Sequence, residues 1–415
     1  MAEARPVLWF CFPYRGVGGV SLLFLRLAEE LARTGAAEVT LVDYADGYMA
    51  RNRRATDVTL AEYRDDGALA VPADAVLVFQ SMTPWSIFPG IAPDPATRVL
   101  FWTCFPFNLV PPLPGARGWL QHRPRALRAV LATALRGYRT TMRRFVRLLD
   151  ERGAVLFMDA QNLATTEEML GLKIALPQFL PIPAPVAMPR LPVPLREPLR
   201  VVWVGRIVDF KAHVLRHALT ALNAMAANGR DTFAVTIVGS GDHAAWLRDK
   251  AQRFTALGVE WIDELAPEAV ETLLATRTDL MMAMGTAALD GARLGVPVLL
   301  LDIAYGPLPP DYRFRWLHEA RGFSLGDIAG RSGAAREADS MARRIAELHA
   351  DPNGLSERIA THFGANHALP SIAARIIGRA HATRCQWGDL TACGLLEHGA
   401  AYTLFRSIRK AISRT

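Results

Sequence analysis

No aspartate or glutamate occurs between Pro95 and Leu149, in a chain of 415 residues that carries 40 acidic residues and 47 lysines and arginines in all. Arg98, Arg117, Arg123, Arg125, Arg128, Arg136, Arg139, Arg143, Arg144 and Arg147 all fall inside that gap, which points to an anionic partner. Cysteine is scarce, with four residues (Cys11, Cys104, Cys385 and Cys393), and none has a zinc-ligand spacing. A disulfide scaffold and a zinc site are therefore excluded, and free thiols in a reducing compartment are expected. No apolar run approaches the roughly 20 residues needed to span a bilayer. Met1 to Pro6 and the short run after them lack the pattern of a signal peptide, so a cytoplasmic protein is expected. Helix-turn-helix spacing, zinc fingers and aromatic RNP patterns are missing as well, and nucleic acid is not an expected partner. Tandem repeats are absent.

What is present is a pair of glycine turns, each after a buried apolar run. Val7–Phe12 leads into Gly16-Val17-Gly18-Gly19-Val20-Ser21, and the residues from Leu22 to Leu31 then repeat at helical spacing. Val201–Val204 leads into Gly205-Arg206-Ile207-Val208-Asp209-Phe210-Lys211 and a helix from about His213. Further strand-like runs lie at Glu38–Val42, Ala75–Phe79, Arg98–Trp102 and Ala154–Met158, then at Ala234–Val238, Val259–Ile262, Leu280–Ala283 and Val298–Leu301. Continuous apolar runs separated by helical patterns indicate parallel strands covered on both faces. The expected fold is α/β, with two doubly wound, Rossmann-like domains facing a cleft.

Pro181, Pro183, Pro185, Pro189, Pro192, Pro194 and Pro198 separate the halves, and so many fixed φ angles and missing amide donors cannot join a sheet. The reading is a first domain at 1–180, a linker at 181–198, a second domain at 199–380 and a helical segment at 381–415. In that last segment Tyr402–Ile412 combines a basic face with helical apolar spacing. It either returns to the first domain or touches a membrane.

Within the arginine-rich stretch, Leu120, Leu127, Val130, Leu131, Leu135, Phe145, Val146 and Leu149 interleave with the charges. This suits an amphipathic surface lying on acidic lipid, with Arg136, Arg139, Arg143 and Arg144 as the contacts. A basic, solvated helix face is the other reading.

Arg206 and Lys211 follow a buried strand, where ligands bind in open α/β sheets. A guanidinium with an ammonium suits a diphosphate. Gly285, Thr286 and Ala287 open a short helix whose free amides suit a phosphate oxygen, and Asp290 stands one turn along it, where it suits ribose hydroxyls. An aspartate in a solvated helix reads the same way. His213 and His217 share a helix face but have no third ligand, and no metal is expected. Asp159 ends a strand, as a cleft residue or as a cap.

These residues resemble the motifs of glycosyltransferases of the GT-B fold, family 4. The likeness runs through Gly18-Gly19, Gly205-Arg206 with Lys211, Val238-Gly239-Ser240-Gly241-Asp242, and Asp290-Gly291-Ala292-Arg293-Leu294-Gly295-Val296-Pro297-Val298, in the family's order, over most of residues 7 to 300. It implies that a nucleoside diphosphate sugar binds mainly to the second domain, with Arg206 and Lys211 on the diphosphate and Asp290 on the ribose. Gly205, Gly239, Gly241, Gly285, Thr286 and Ala287 would line the donor, with Gly18 and Gly19 near the diphosphate from the opposite wall. Transfer to a glycan or lipid-linked acceptor in cell-surface polysaccharide synthesis, with retention and with neither cofactor nor protein-bound metal, is the implied activity.

This chain departs from the family in two places. Met284-Gly285-Thr286 offers no carboxylate where the first of a glutamate pair is usual, and Thr103-Cys104-Phe105 stands where a histidine is common. A GT-B-shaped binding protein without catalysis is therefore a second reading. A third is an NAD-dependent oxidoreductase, because Gly16-x-Gly18 follows a strand and Asp43 ends the next one, as a ribose-binding acid does.

Overall fold

The computed structural model describes residues 5–16, 18–80, 88–109, 123–190, 194–329, 338–394 and 396. Val17, Arg117, Leu120, Pro192 and Tyr402–Ile412 lie outside the described residues. Contacts group the chain into two compact units, one made of Met1–Ile182 with Ile372–Thr415, the other of Pro183–Ser371. The return to the first unit thus begins inside the helix Leu369–Ala382, ahead of the boundary at residue 380 read from sequence.

The first unit is built on β1 (Val7–Cys11), β2 (Glu38–Asp43), β3 (Val58–Glu62), β5 (Ala75–Gln80), β7 (Arg98–Thr103) and β8 (Val155–Phe157), with β4 (Leu69–Val71) and β6 (Ile91–Pro93) as a separate small pair. The six-stranded sheet runs β3-β2-β1-β5-β7-β8, with every pairing parallel. In the second unit β9 (Leu199–Val204), β10 (Phe233–Val238), β11 (Gly258–Ile262), β12 (Leu280–Ala283), β13 (Val298–Leu300) and β14 (Arg315–Trp316) run β11-β10-β9-β12-β13-β14. Only β14 is antiparallel there. Counted along each six-stranded sheet, both orders are third-second-first-fourth-fifth-sixth, so each unit has its topological switch beside its first strand, β1 or β9.

Burial on both faces explains the unbroken apolar runs: every residue of β5 and of β12 is buried. Phe79 stacks on Phe101 at 5.3 Å, and Phe101 meets Phe145 edge-on at 4.9 Å. Phe145 belongs to the helix Arg136–Glu151, and Met142, Phe145, Val146 and Leu149 on that helix are all 0% exposed. Leu127 and Leu131 on the preceding helix, Pro124–Ala132, are buried too. Leu127, Leu131, Phe145, Val146 and Leu149 were read as part of a surface lying on acidic lipid, and that expectation is corrected: they belong to the core. Fully burying such a side chain contributes about 1.5–3 kcal/mol, which fixes the helix against its own sheet.

Among the described residues, no helix is long and apolar enough to cross a membrane.

Candidate functional site

In the second unit, the turns after β9 and β10 interlock. Gly205 N–H donates to the Val238 carbonyl (3.0 Å), Ile207 N–H to Ser240 (2.8 Å) and Gly239 N–H to Ile262 (2.8 Å), while His243 N–H returns to Ile207 (3.1 Å). The two turns pack so closely that a Cβ on Gly239 would overlap the Gly205 carbonyl oxygen, and one on Gly241 the Ile207 carbonyl oxygen. Both glycines also have φ near +145°, a region that side chains rarely adopt (φ +143 and +148).

This knot carries the two cations. Lys211 lies in the first turn of the helix Asp209–Ala227, and its Nζ is 3.5 Å from where a Gly205 Cβ would stand. The amine is half-buried, has no carboxylate within ion-pair distance among the described residues, and has its pKa lowered from the ordinary lysine value by burial. Arg206 is exposed, and its guanidinium likewise makes no ion pair among the described residues. An ammonium held partly out of water with no counter-ion is a place where an anion lowers the free energy.

Gly285 precedes the short helix Thr286–Ala292, and its N–H donates to the Leu325 carbonyl (2.6 Å). Thr286 is exposed and Ala287 half-buried. Gly291 lets that helix approach the sheet, since a Cβ there would stand 2.6 Å from Met281 Sδ. Asp290 remains half-exposed and pairs with Arg293 at 3.7 Å, and Arg293 in turn meets Glu271 at 2.8 Å.

A cluster that sequence reasoning missed supports this end of the sheet. Arg315, 3% exposed, pairs with Asp302 (2.7 Å) and Asp327 (3.0 Å), and Tyr312 Oη donates to Asp302 (3.0 Å). These contacts pin the loop that brings Leu325 to Gly285. A lone arginine between Phe314 and Trp316 in β14 was the available signal.

In the first unit, Gly18 caps the helix Gly19–Arg33 with extended backbone, and Gly19 has open space beside it. Asp43 is 0% exposed, and its oxygens accept from the backbone N–H groups of Tyr14 (2.8 Å), Tyr44 (2.9 Å), Met49 (2.8 Å) and Ala50 (3.3 Å). Its carboxylate anchors the glycine loop and has no face left for a ribose, which removes the residue on which the oxidoreductase reading depended. Asp159 caps the helix Ala160–Leu170 by accepting from Asn162 N–H (2.8 Å).

The four arginines read as membrane contacts divide. Arg136 and Arg144 are exposed, Arg144 reaching the Cys393 carbonyl at 3.3 Å, and Arg143 is half-buried. Arg139 is a correction: it turns inward, donates from Nε to the Met169 carbonyl (3.1 Å) and fills the space beside Gly171 at the end of the helix Ala160–Leu170. His213 packs on Trp246 (5.1 Å) and His217 on Tyr312 (5.5 Å), so both rings are engaged in aromatic contacts.

No family model matches this sequence, and no curated protein matches it. Among solved structures, the apo form of the lipopolysaccharide outer core galactosyltransferase WaaB aligns over 91% of this chain and 99% of its own, at 9% identity and a TM-score of 0.52. WaaG, a glycosyltransferase involved in lipopolysaccharide biosynthesis, aligns over 89% and 98% at 13% identity and a TM-score of 0.46. An alpha,alpha-trehalose-phosphate synthase (UDP-forming) from Burkholderia vietnamiensis aligns over 91% and 97% at 11% identity and a TM-score of 0.48. The chain has the fold of the GT-B glycosyltransferases.

Proposed function

We propose that this protein is a glycosyltransferase that moves a sugar from a nucleoside diphosphate sugar to a glycan or lipid-linked acceptor in cell-surface polysaccharide synthesis, on the cytoplasmic face of a membrane. One observation carries the reading: Lys211 and Arg206, two cations with no carboxylate partner among the described residues, stand on one glycine-knotted turn at the carboxyl end of β9. Charge develops on the diphosphate as its bond to C1 breaks, and two preplaced cations lower that barrier without reorganising. The acceptor hydroxyl oxygen forms the new bond to C1, and on the retaining reading its proton passes to the departing diphosphate oxygen. Charge neutralisation is assigned here to the protein, without a bound metal. Asp290 accepts from the ribose hydroxyls, while Gly285, Thr286 and Ala287 bound the donor from the neighbouring strand end. The similarity to WaaB in fold supports this choice among α/β activities.

A catalytically silent binding protein is the second reading, favoured by the lack of a carboxylate at Met284-Gly285-Thr286. A thermal-shift screen against UDP, GDP, ADP, CMP and NAD, followed by transfer of radiolabelled sugar from the matching donor, tests both. A nucleoside diphosphate raises the melting temperature on the proposed reading, and NAD does not. Binding without transfer or donor hydrolysis selects the silent protein, and no response to any diphosphate removes the donor site.

A further inference from the structure

We propose that a cavity at the amino ends of β12 and β13, in the second unit, binds a small zwitterion of amino-acid size, with its carboxylate on Arg190 and its ammonium on Glu357. The cavity holds about 350 Å³, at the lower end of the range for small-molecule sites. Asp279, which precedes β12, and Pro297, which precedes β13, both line it. The turn of Arg206 and Lys211 follows the carboxyl end of β9, which runs parallel to β12 as its neighbour. The cavity and the diphosphate turn therefore stand at opposite ends of one sheet, and the inference does not depend on the transferase reading.

Three walls converge on it. One is a face of the helix Pro352–Asn366, where Asn353, Ser356, Glu357 and Ala360 recur at helical spacing while Leu355, Ile359 and Phe363 turn into the core. The second is the proline-rich segment at Pro189 and Arg190, and the third is the turn of Gly295 and Pro297. A Cβ on Gly295 would stand 3.7 Å from Pro189 Cβ and 4.0 Å from Ala360 Cβ, so the three meet at ordinary packing distance. Arg190 N–H donates to the Leu294 carbonyl (3.0 Å), which ties the second wall to the third. A site bounded in advance loses little entropy on binding.

The charges in the lining select the ligand. Arg190 is half-buried, donates from Nη1 to the Thr278 carbonyl and makes no ion pair among the described residues. Burial is the main cause that lowers its pKa from the ordinary arginine value. Asp279 is already taken, since its Oδ1 accepts from Arg200 Nη2 (2.7 Å) and its Oδ2 from Arg200 Nε (2.9 Å). Glu357 is exposed at the rim and likewise makes no ion pair among the described residues. A guanidinium with free donors holds a carboxylate in a fork, and a carboxylate flanked by Asn353 and Ser356 accepts from the three N–H donors of an ammonium. Arg190 and Glu357 balance in charge, as do Arg200 and Asp279, so a neutral zwitterion fits where a phosphate dianion would meet Glu357 unpaired. Pro189, Pro297 and Ala360 leave an apolar wall for the ligand's side chain.

Isothermal titration of the whole chain with each of the standard L-amino acids is the test, and at least one is expected to bind. Its N-acetyl derivative, which lacks the ammonium, and its carboxamide, which lacks the carboxylate, are each expected to bind about tenfold or more weakly. Glu357→Gln is expected to weaken the amino acid by a similar factor and to leave the N-acetyl derivative unchanged. That side chain is exposed, so the variant should keep its melting temperature. Arg190→Gln is expected to weaken the amino acid and the N-acetyl derivative alike. Saturating UDP is expected to leave the amino acid's affinity unchanged. The proposal is overturned if no amino acid binds, if either derivative binds as tightly as its parent, or if Glu357→Gln binds as wild type does. Competition by UDP would overturn it too, because the amino acid would then occupy the donor site.

Discussion

The carbonyl oxygen of Gly205 occupies the space that a side chain on Gly239 would need. The turn holding Arg206 and Lys211 is thus locked to the neighbouring strand's turn by a contact between two main chains. Gly239→Ala is expected to push the turns apart, lowering the melting temperature and abolishing the nucleotide shift. Gly258→Ala, with nothing within 4 Å of the added methyl, serves as the control and should leave both unchanged. Equal behaviour of the two variants would remove the interlock as a cause.

Arg206→Ala and Lys211→Ala are each expected to lower transfer by about 100-fold or more, the usual cost of losing a charged contact to a developing leaving-group charge. Single-turnover transfer of labelled sugar checks this, and wild-type rates in both variants would sink the diphosphate assignment.

The lysine also predicts a pH dependence. Burial lowers the folded pKa of Lys211 below its unfolded value of 10.5, so the neutral amine is the form favoured by folding. Its penalty is full below the folded pKa and fades as pH rises through the folded pKa toward the unfolded one. Stability of the free protein should therefore gain an alkaline increment that Lys211→Met lacks, with the variant more stable at neutral pH. Diphosphate affinity should run the other way and fall across the same interval, because only the ammonium pairs with the anion. Melting curves and UDP titrations between pH 7 and 10 separate the two arms. Identical profiles in wild type and Lys211→Met would show that the amine is solvated.

Asp290 is predicted to act on binding rather than on the chemical step, since ribose hydroxyls do not change charge during transfer. Asp290→Asn should raise the donor KM roughly tenfold with a smaller change in kcat. Arg293 retains Glu271 in that variant, so the helix stays placed. An unchanged KM would leave Asp290 as a helix residue paired with Arg293.

The inner strands and the glycine turns were legible in the sequence because burial on both faces leaves continuous apolar runs, whereas the edge strands β3, half-exposed, and β14, two residues long, leave none. Orientation was not. An amphipathic helix has the same periodicity whether its apolar face meets a sheet or a bilayer, and Met142, Phe145 and Leu149 chose the sheet. Asp43 stands where a ribose acid stands, but its role is set by the chain folding back through Met49 and Ala50. The link from Asp302 to Arg315 and Asp327 joins residues too far apart in sequence for spacing to reveal.

The division among the arginines gives the last prediction. Removing the apolar residues from the membrane face leaves an electrostatic surface carried by Arg136, Arg144 and Arg147, all exposed, with Arg143 at its margin. Basic residues near acidic lipid contribute on the order of 1 kcal/mol each, so three or four give weak attachment that salt releases, with no insertion to hold it. Flotation with phosphatidylglycerol vesicles should recover the protein at low ionic strength and lose it at high. Arg136→Gln with Arg147→Gln, two exposed side chains, should abolish recovery while leaving the melting temperature unchanged. Arg139→Gln should do the reverse, because its guanidinium holds the Met169 carbonyl at the end of a helix: stability drops by about 1 kcal/mol and vesicle binding persists. If the exposed pair can be neutralised without loss of flotation, or if Arg139→Gln alone releases the protein, the surface that meets lipid is not this one.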